Sequence, residues 1–294
     1  GEAGGFCCSG ERGLMVAIEV QGHLVEGHVK GGQVKGGGRR GAVGDCMSRS
    51  SRKRYLSMIE RLEYREDLPW AWSMVTLTYP PGTAGAFDGE RAARDLEVFW
   101  KRLVRTSCAV AAIWVKELQP GRGAIHFHLL VYGRWLPHSL VAAFWQEVIG
   151  SEVVPICWVE IVRSWKAALK YAAKYMGKPA GEGRRDGGAR DAGTGAATEA
   201  GDVEGEDDGS LDPSAYSAVG GRWWGVLGRE NLPWGELTSV LWEMGDWYYR
   251  WRRSARRSWA GVSSRREQGF TLFTGDPGQW LALAAWFQGQ DCPC

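Results

Sequence analysis

The sequence predicts an α+β fold: an antiparallel sheet built from a βαββαβ run with helices on one face, followed by a mainly helical, Trp- and Arg-rich C-terminal region. Three observations predict it. Between residues 72 and 178 the apolar spacing switches repeatedly between two residues, the period of a strand, and three to four, the period of a helix. A Pro-Gly-Arg-Gly turn at 120–123 joins two strand-like runs closely enough for a hairpin. Stretches rich in glycine or acid, without periodicity, flank this block on both sides.

Taken in order, residues 1–50 carry runs such as KGGQVKGGGRRG and read as a disordered, Gly-rich basic arm. RKRYLSMIERLEYR at 52–65 reads as a short basic helix leading into the main domain, 51–180. WSMVTLTY at 72–79 is a strand. The helix at 88–106 starts from Asp88 as N-cap and puts Leu96, Phe99, Trp100 and Leu103 on one face. VAAIWVKEL at 110–118 and AIHFHLLVYG at 124–133 are the hairpin strands. A helix at 136–150, a strand at 156–164 and a helix at 165–178, stopped by Gly177 and Pro179, complete the run. That order is the ferredoxin-like split βαβ. Residues 181–215 read as an acidic, Gly-rich linker. From 216 to 294 the chain is Trp- and Arg-rich, with one helix expected over 236–257 and no clear type over the last 27 residues.

Composition narrows the function. The linker holds ten acids against three arginines, a local charge of −7, so the remaining residues carry +9 of a formal +2. A basic body with 17 tryptophans suits a polyanion that also offers flat faces, as single-stranded nucleic acid does, although core packing accounts for tryptophans equally well. No apolar run reaches the roughly 18 residues of a bilayer span and no signal-peptide pattern opens the sequence, so a cytoplasmic protein with no membrane partner is expected. Seven scattered cysteines without CxxC pairing suggest free thiols, and His23 and His28, downstream of Cys7 and Cys8, fit no standard zinc spacing. Without a GxxxxGK[ST] stretch, unwinding of DNA would fall to a separate helicase.

The chemistry-bearing residues gather on this frame. His126 and His128 alternate along one strand and so share a face, with Ile125, Phe127 and Leu129 on the other. Glu117, near the end of the paired strand, can reach them across the turn. Two nitrogens and an oxygen form a set that accepts a divalent ion, Mn²⁺ or Mg²⁺ foremost and Zn²⁺ as a further option, with Gln119 as the substitute oxygen ligand. The plainer reading makes the histidines structural and Glu117 a strand-end charge. On the helix at 165–178, Tyr171 and Tyr175 are four apart with Lys174 between them, all on one side. Packing explains such a pair, but a lysine between two phenols with Ala172 and Ala173 for clearance also suits nucleophiles that approach a phosphodiester. Arg250, Arg252, Arg253, Arg256 and Arg257 crowd one helix end and read either as a solvated face or as a nucleic-acid-binding grip on phosphates.

Three ordered blocks, VTLTYP at 75–80, ELQPGRGAIHFHLLVYG at 117–133 and YAAKYMGK at 171–178, resemble the HUH endonucleases, specifically rolling-circle replication initiators of the two-tyrosine phage or plasmid type. They span about a third of the chain, and GRWWGVLGRENLPW at 221–234 is similar to a segment seen downstream in such proteins. The resemblance implies a divalent metal held by His126, His128 and Glu117, and attack by Tyr171 on single-stranded origin DNA. It also implies a 5′-phosphotyrosine and a free 3′-OH that primes synthesis, a second cleavage by Tyr175, and reliance on host helicase and DNA polymerase in a bacterial cell. Thr76 and Thr78 are expected to shape the strand and the DNA path. A two-tyrosine transposase shares the motif order, a relaxase would place its tyrosine before the histidines, and histidine-triad hydrolases need a histidine where Leu130 stands. A non-catalytic origin-binding protein is the alternative from another class.

Overall fold

Met15–Gln21 (β1) and Leu24–Lys30 (β2) form an antiparallel hairpin, where a disordered arm was expected. Val16, Ile18 and Val20 alternate on β1, and Gly22, at φ 56°, supplies the left-handed turn residue. The glycine content of residues 1–50 masked that alternation, and β1 also pairs with a strand more than 200 residues later, which local sequence does not reveal. The structure, a computed structural model, describes residues 14–30, 49–65, 67, 71–106, 108–176, 218–258, 263–265, 269–273 and 276–289. The linker at 181–215 lies outside the described residues. These divide into two units, 49–234 and 14–30 with 235–289.

The larger unit runs from α1 (Arg49–Glu60) through β3 (Trp72–Thr78), α2 (Gly89–Arg105), β4 (Ala109–Leu118), β5 (Ile125–Gly133), α3 (His138–Ile149), β6 (Cys157–Ile161) and α4 (Trp165–Met176) to β7 (Trp224–Leu227). Its sheet is antiparallel throughout in the order β6-β3-β5-β4-β7, so the βαββαβ part has the split arrangement expected from the sequence and β7 extends it by one edge strand. Asp88 caps α2 as read, its Oδ1 accepting from Glu90 N at 2.9 Å and Arg91 N at 3.0 Å. The crossover helices α2 and α3 bury Phe99, Leu103 and Trp145 against Leu77, Ile125, Phe127 and Leu129 on one face. The Trp145 indole also donates to Thr78 O at 2.9 Å, which ties α3 to the end of β3.

The opposite face has its own helical layer. Tyr55 and Ile59 of α1 and Ala168 and Ala172 of α4 pack on Met74, Ile113, Val115 and Leu130. Both faces of the central strands are therefore buried, which is why β5 reads as a nearly continuous apolar run interrupted by its two histidines. The segment 218–234, expected to open the C-terminal region, belongs to this unit: β7 pairs with β4, and Val219 packs so closely on the start of α2 that a Cβ on Gly89 would lie 1.9 Å from Val219 O.

In the smaller unit β1 and β2 join β8 (Leu237–Glu243), β9 (Ser263–Arg265) and β10 (Gly269–Phe273) in the order β8-β1-β2-β10-β9. Helices α5 (Asp246–Ser258) and α6 (Pro277–Gln288) supply the helical content expected of the C-terminal region. Tyr248, Trp251 and Trp280 pack with Val16, Ile18 and Val25, so tryptophans here fill a core. The helix expected over 236–257 starts only at Asp246, because Thr238, Val240 and Trp242 favour a strand and Gly245 breaks the helical run.

Candidate functional site

The β4–β5 hairpin builds the site. Its turn closes with Gln119 N donating to Ala124 O and Gly123 N to Gln119 O, both at 2.8 Å. Gly121 and Gly123 take φ of 73° and 66°, conformations that side-chain-bearing residues rarely adopt. The register then sets Glu117 opposite His126, and on the other side of β5 it sets Thr78 opposite His126 and Thr76 opposite His128. Directly opposed residues share a face, so all five side chains belong to one side of the sheet. Glu117 reaches diagonally along that face: its Oε2 stands 3.0 Å from His128 Nε2.

His128 is buried and held from both ends, since Thr76 Oγ1 stands 3.0 Å from its Nδ1. With the proton on Nε2, His128 donates to Glu117 and accepts from the Thr76 hydroxyl. With the proton on Nδ1, it donates to Thr76 and turns the Nε2 lone pair toward the site. Thr76 was expected only to shape the strand. The signal in the sequence was its even spacing from Thr78 in VTLTYP, but its partner became visible only with the register.

His126 differs from its neighbour. Its Nε2 is buried and has no hydrogen-bond partner among the described residues. Burial, followed by the neighbouring His128 ring, pushes its pKa down to about 4 despite Glu117, with Arg122 adding to the depression. The imidazole is therefore neutral at neutral pH, the form in which histidine binds a metal. Among the described residues no group of three His, Cys, Asp or Glu side chains is already arranged to hold a metal ion, because His128 and Glu117 are engaged with one another. The donor chemistry nevertheless fits a divalent ion: an orphaned buried nitrogen, a second imidazole anchored through its far nitrogen, and a carboxylate. Gln119, the substitute ligand in the sequence reading, instead accepts from Arg122 Nη1 at 3.2 Å. Arg122 also donates to Tyr79 O at 3.3 Å, which holds an exposed guanidinium beside His126, a cation that the sequence reading treated only as part of a turn.

Tyr171 is half-buried on α4 and packs with the apolar layer that includes Leu130, two residues along β5 from His128. It lies on the histidine side of the sheet. Lys174 and Tyr175 continue the helix, and their side chains lie outside the described residues. The C-terminal arginines are not one cluster. Arg252 is buried, which corrects its reading as a phosphate contact: at one residue from Trp251 and four from Tyr248 it falls on the stripe of α5 that faces the core. Arg250 lies over the Phe287 ring at 5.3 Å, while Arg253 and Arg257 are exposed and the Arg256 side chain lies outside the described residues. All five belong to the smaller unit.

A family model described as replication-associated protein ORF2 matches residues 72–180, the span from β3 through α4 that carries every residue of this site. No curated protein matches the chain, and no solved structure does. No helix among the described residues is long and apolar enough to cross a membrane.

Proposed function

We propose that this chain is a replication initiator of the rolling-circle type, which nicks single-stranded origin DNA through a tyrosine and later rejoins the strand. The match to a replication-associated family supports the broad role. The observation that carries the chemistry is the convergence of His126, His128 and Glu117 on the sheet face against which the Tyr171 helix packs.

In this reading the Tyr171 hydroxyl attacks the scissile phosphorus. The O–P bond to tyrosine forms as the bond to O3′ breaks, the phenol loses its proton and the departing O3′ gains one. The products are a 5′-phosphotyrosine and a free 3′-OH. Lys174, one turn along α4, offsets the charge that builds on the phosphate or phenolate. Tyr175 serves the second cleavage of a round, and a 3′-OH attacking the phosphotyrosine restores the strand. A divalent ion, Mn²⁺ or Mg²⁺, held by His126, His128 and Glu117 would supply polarisation of the scissile phosphate. Thr76 fixes the His128 ring so that its Nε2 faces the site, and Arg122 offers a phosphate contact beside it. Host helicase and polymerase would act on the exposed strand and the 3′-OH.

The test is incubation with labelled single-stranded replicon DNA and Mn²⁺, followed by denaturing gels and mass spectrometry. A denaturation-resistant adduct on Tyr171 that is absent in Tyr171→Phe, and lost with EDTA or in His126→Ala/His128→Ala, is expected. Persistent metal-independent cleavage in the double histidine variant would refute the mechanism. One observation favours a second reading, a non-catalytic origin-binding protein: Thr76 and Glu117 already satisfy both nitrogens of His128. Folded protein that binds Mn²⁺ and origin DNA yet never forms an adduct would decide for it.

A further inference from the structure

The face that holds the histidines continues across the sheet to an exposed aromatic that the chemistry above leaves unused. On the edge strand β6, Trp158 stands opposite Thr76, and Thr76 stands opposite His128. Trp158 is therefore two strand spacings, about 10 Å, from His128 on the same side. It is 64% exposed, and Ile156, two residues earlier on the same side, is 80% exposed. The other large apolar residues of this face, Met74, Ile113, Val115 and Leu130, are covered by α1 and α4. A tryptophan and an isoleucine left bare on an edge strand beside a polar site, at a cost in exposed apolar surface, call for an occupant.

We propose that Trp158 is a stacking platform for a base of single-stranded DNA next to the scissile phosphate, with Ile156 flanking the same base. This rests on the nicking reading for its substrate and adds the residue that seats the strand. Three features favour single-stranded DNA as the occupant. The face is continuous with the donor set through Thr76, which already touches His128. The chain outside its acidic segment is strongly basic, and Arg122 stands at the far end of the histidine pair, so a phosphate backbone is attracted on one side of the site while a flat apolar surface waits on the other. A base in single-stranded DNA has a free π-face, whereas in a duplex that face is stacked. Glu160, next on the same side of β6 and exposed, repels phosphate, which directs the strand over Trp158 toward Ile156.

The test is the affinity of the full chain for a fluorescent replicon-derived oligonucleotide, measured by anisotropy in EDTA so that no cleavage intervenes. Trp158→Ala is expected to weaken binding by about 5- to 150-fold, the range for one lost stack, with the slope of log K against log salt unchanged because no phosphate contact is removed. Trp158→Phe is expected to keep most of the affinity. Ile156→Asp, outside the paired residues of β6, is expected to weaken binding and make it more salt-sensitive. Affinity within about twofold of wild type for both Trp158→Ala and Ile156→Asp overturns the proposal. So does a chain whose dimer falls to monomer in Trp158→Ala with DNA affinity unchanged, which would give this face to a second copy. Adduct formation in Mn²⁺ is scored separately. Stacking without any adduct removes the nicking reading and keeps the platform; an adduct with Trp158 indifferent does the reverse.

Discussion

Glu60→Gln should abolish a pH dependence of stability that is built into α1. Glu60 ends that helix at 1% exposure, and neither carboxylate oxygen has a hydrogen-bond partner among the described residues. Burial alone raises its pKa from 4.5 to about 8. The sign follows from linkage: an acid that holds its proton more tightly when folded contributes stability that is fully present below pH 4.5, falls as pH rises and is gone above pH 8. At pH 5 the unfolded chain gains about 1 kcal/mol by ionising this group, and at pH 7 about 3 kcal/mol, from 1.36 kcal/mol per pH unit. Urea denaturation of wild type and variant at several pH values from 5 to 8 measures the difference. The variant should gain about 2.5 kcal/mol over wild type between pH 5 and pH 7. An unchanged difference across that range would mean that Glu60 ionises in the folded chain at an ordinary pKa, and that the buried, unpartnered carboxyl has been misread.

Thr76→Val keeps the shape of the side chain and removes the hydroxyl at His128 Nδ1, so a 10- to 100-fold loss of Mn²⁺ affinity, read by metal titration, is expected of a group that orients a ligand. An unaltered titration would remove Thr76 from the site. Arg122→Ala should lower the salt slope of single-stranded DNA binding by about 0.7, the contribution of one phosphate contact, and an identical slope would show that Arg122 serves only the turn. Gly89→Ala drives a methyl group into Val219 O and should destabilise the larger unit by about 1–3 kcal/mol, measured by urea denaturation. A neutral result would mean that residues 218–223 do not press on α2 in solution.

The part of the fold that was legible came from elements long enough to declare their period. The 17 residues of α2, with an aspartate at the cap, and the two strands around Pro-Gly-Arg-Gly needed no distant partner to be recognised. Where the reading missed, the deciding contacts were remote in sequence. β1 and β2 were hidden in a glycine-rich context, β8 resembled the first turns of the helix that follows it, and β7 sits beside β4 after more than 100 intervening residues. Arg252 was grouped with its neighbours by charge, and only the packing of α5 assigned it to the buried side.

By itself the sequence determined the chemical types and the parity of the site. A period of two guarantees that His126 and His128 share a face, and a short turn guarantees that Glu117 lies within reach. Register, which depends on pairing between strands rather than on either strand alone, was decided by the tertiary structure. It set Thr76 against one nitrogen of His128 and Glu117 against the other, left the Nε2 of His126 without a partner among the described residues, and carried the same face out to Trp158 on the edge strand. A shift of one residue in any of these ladders would turn each of those side chains to the opposite face.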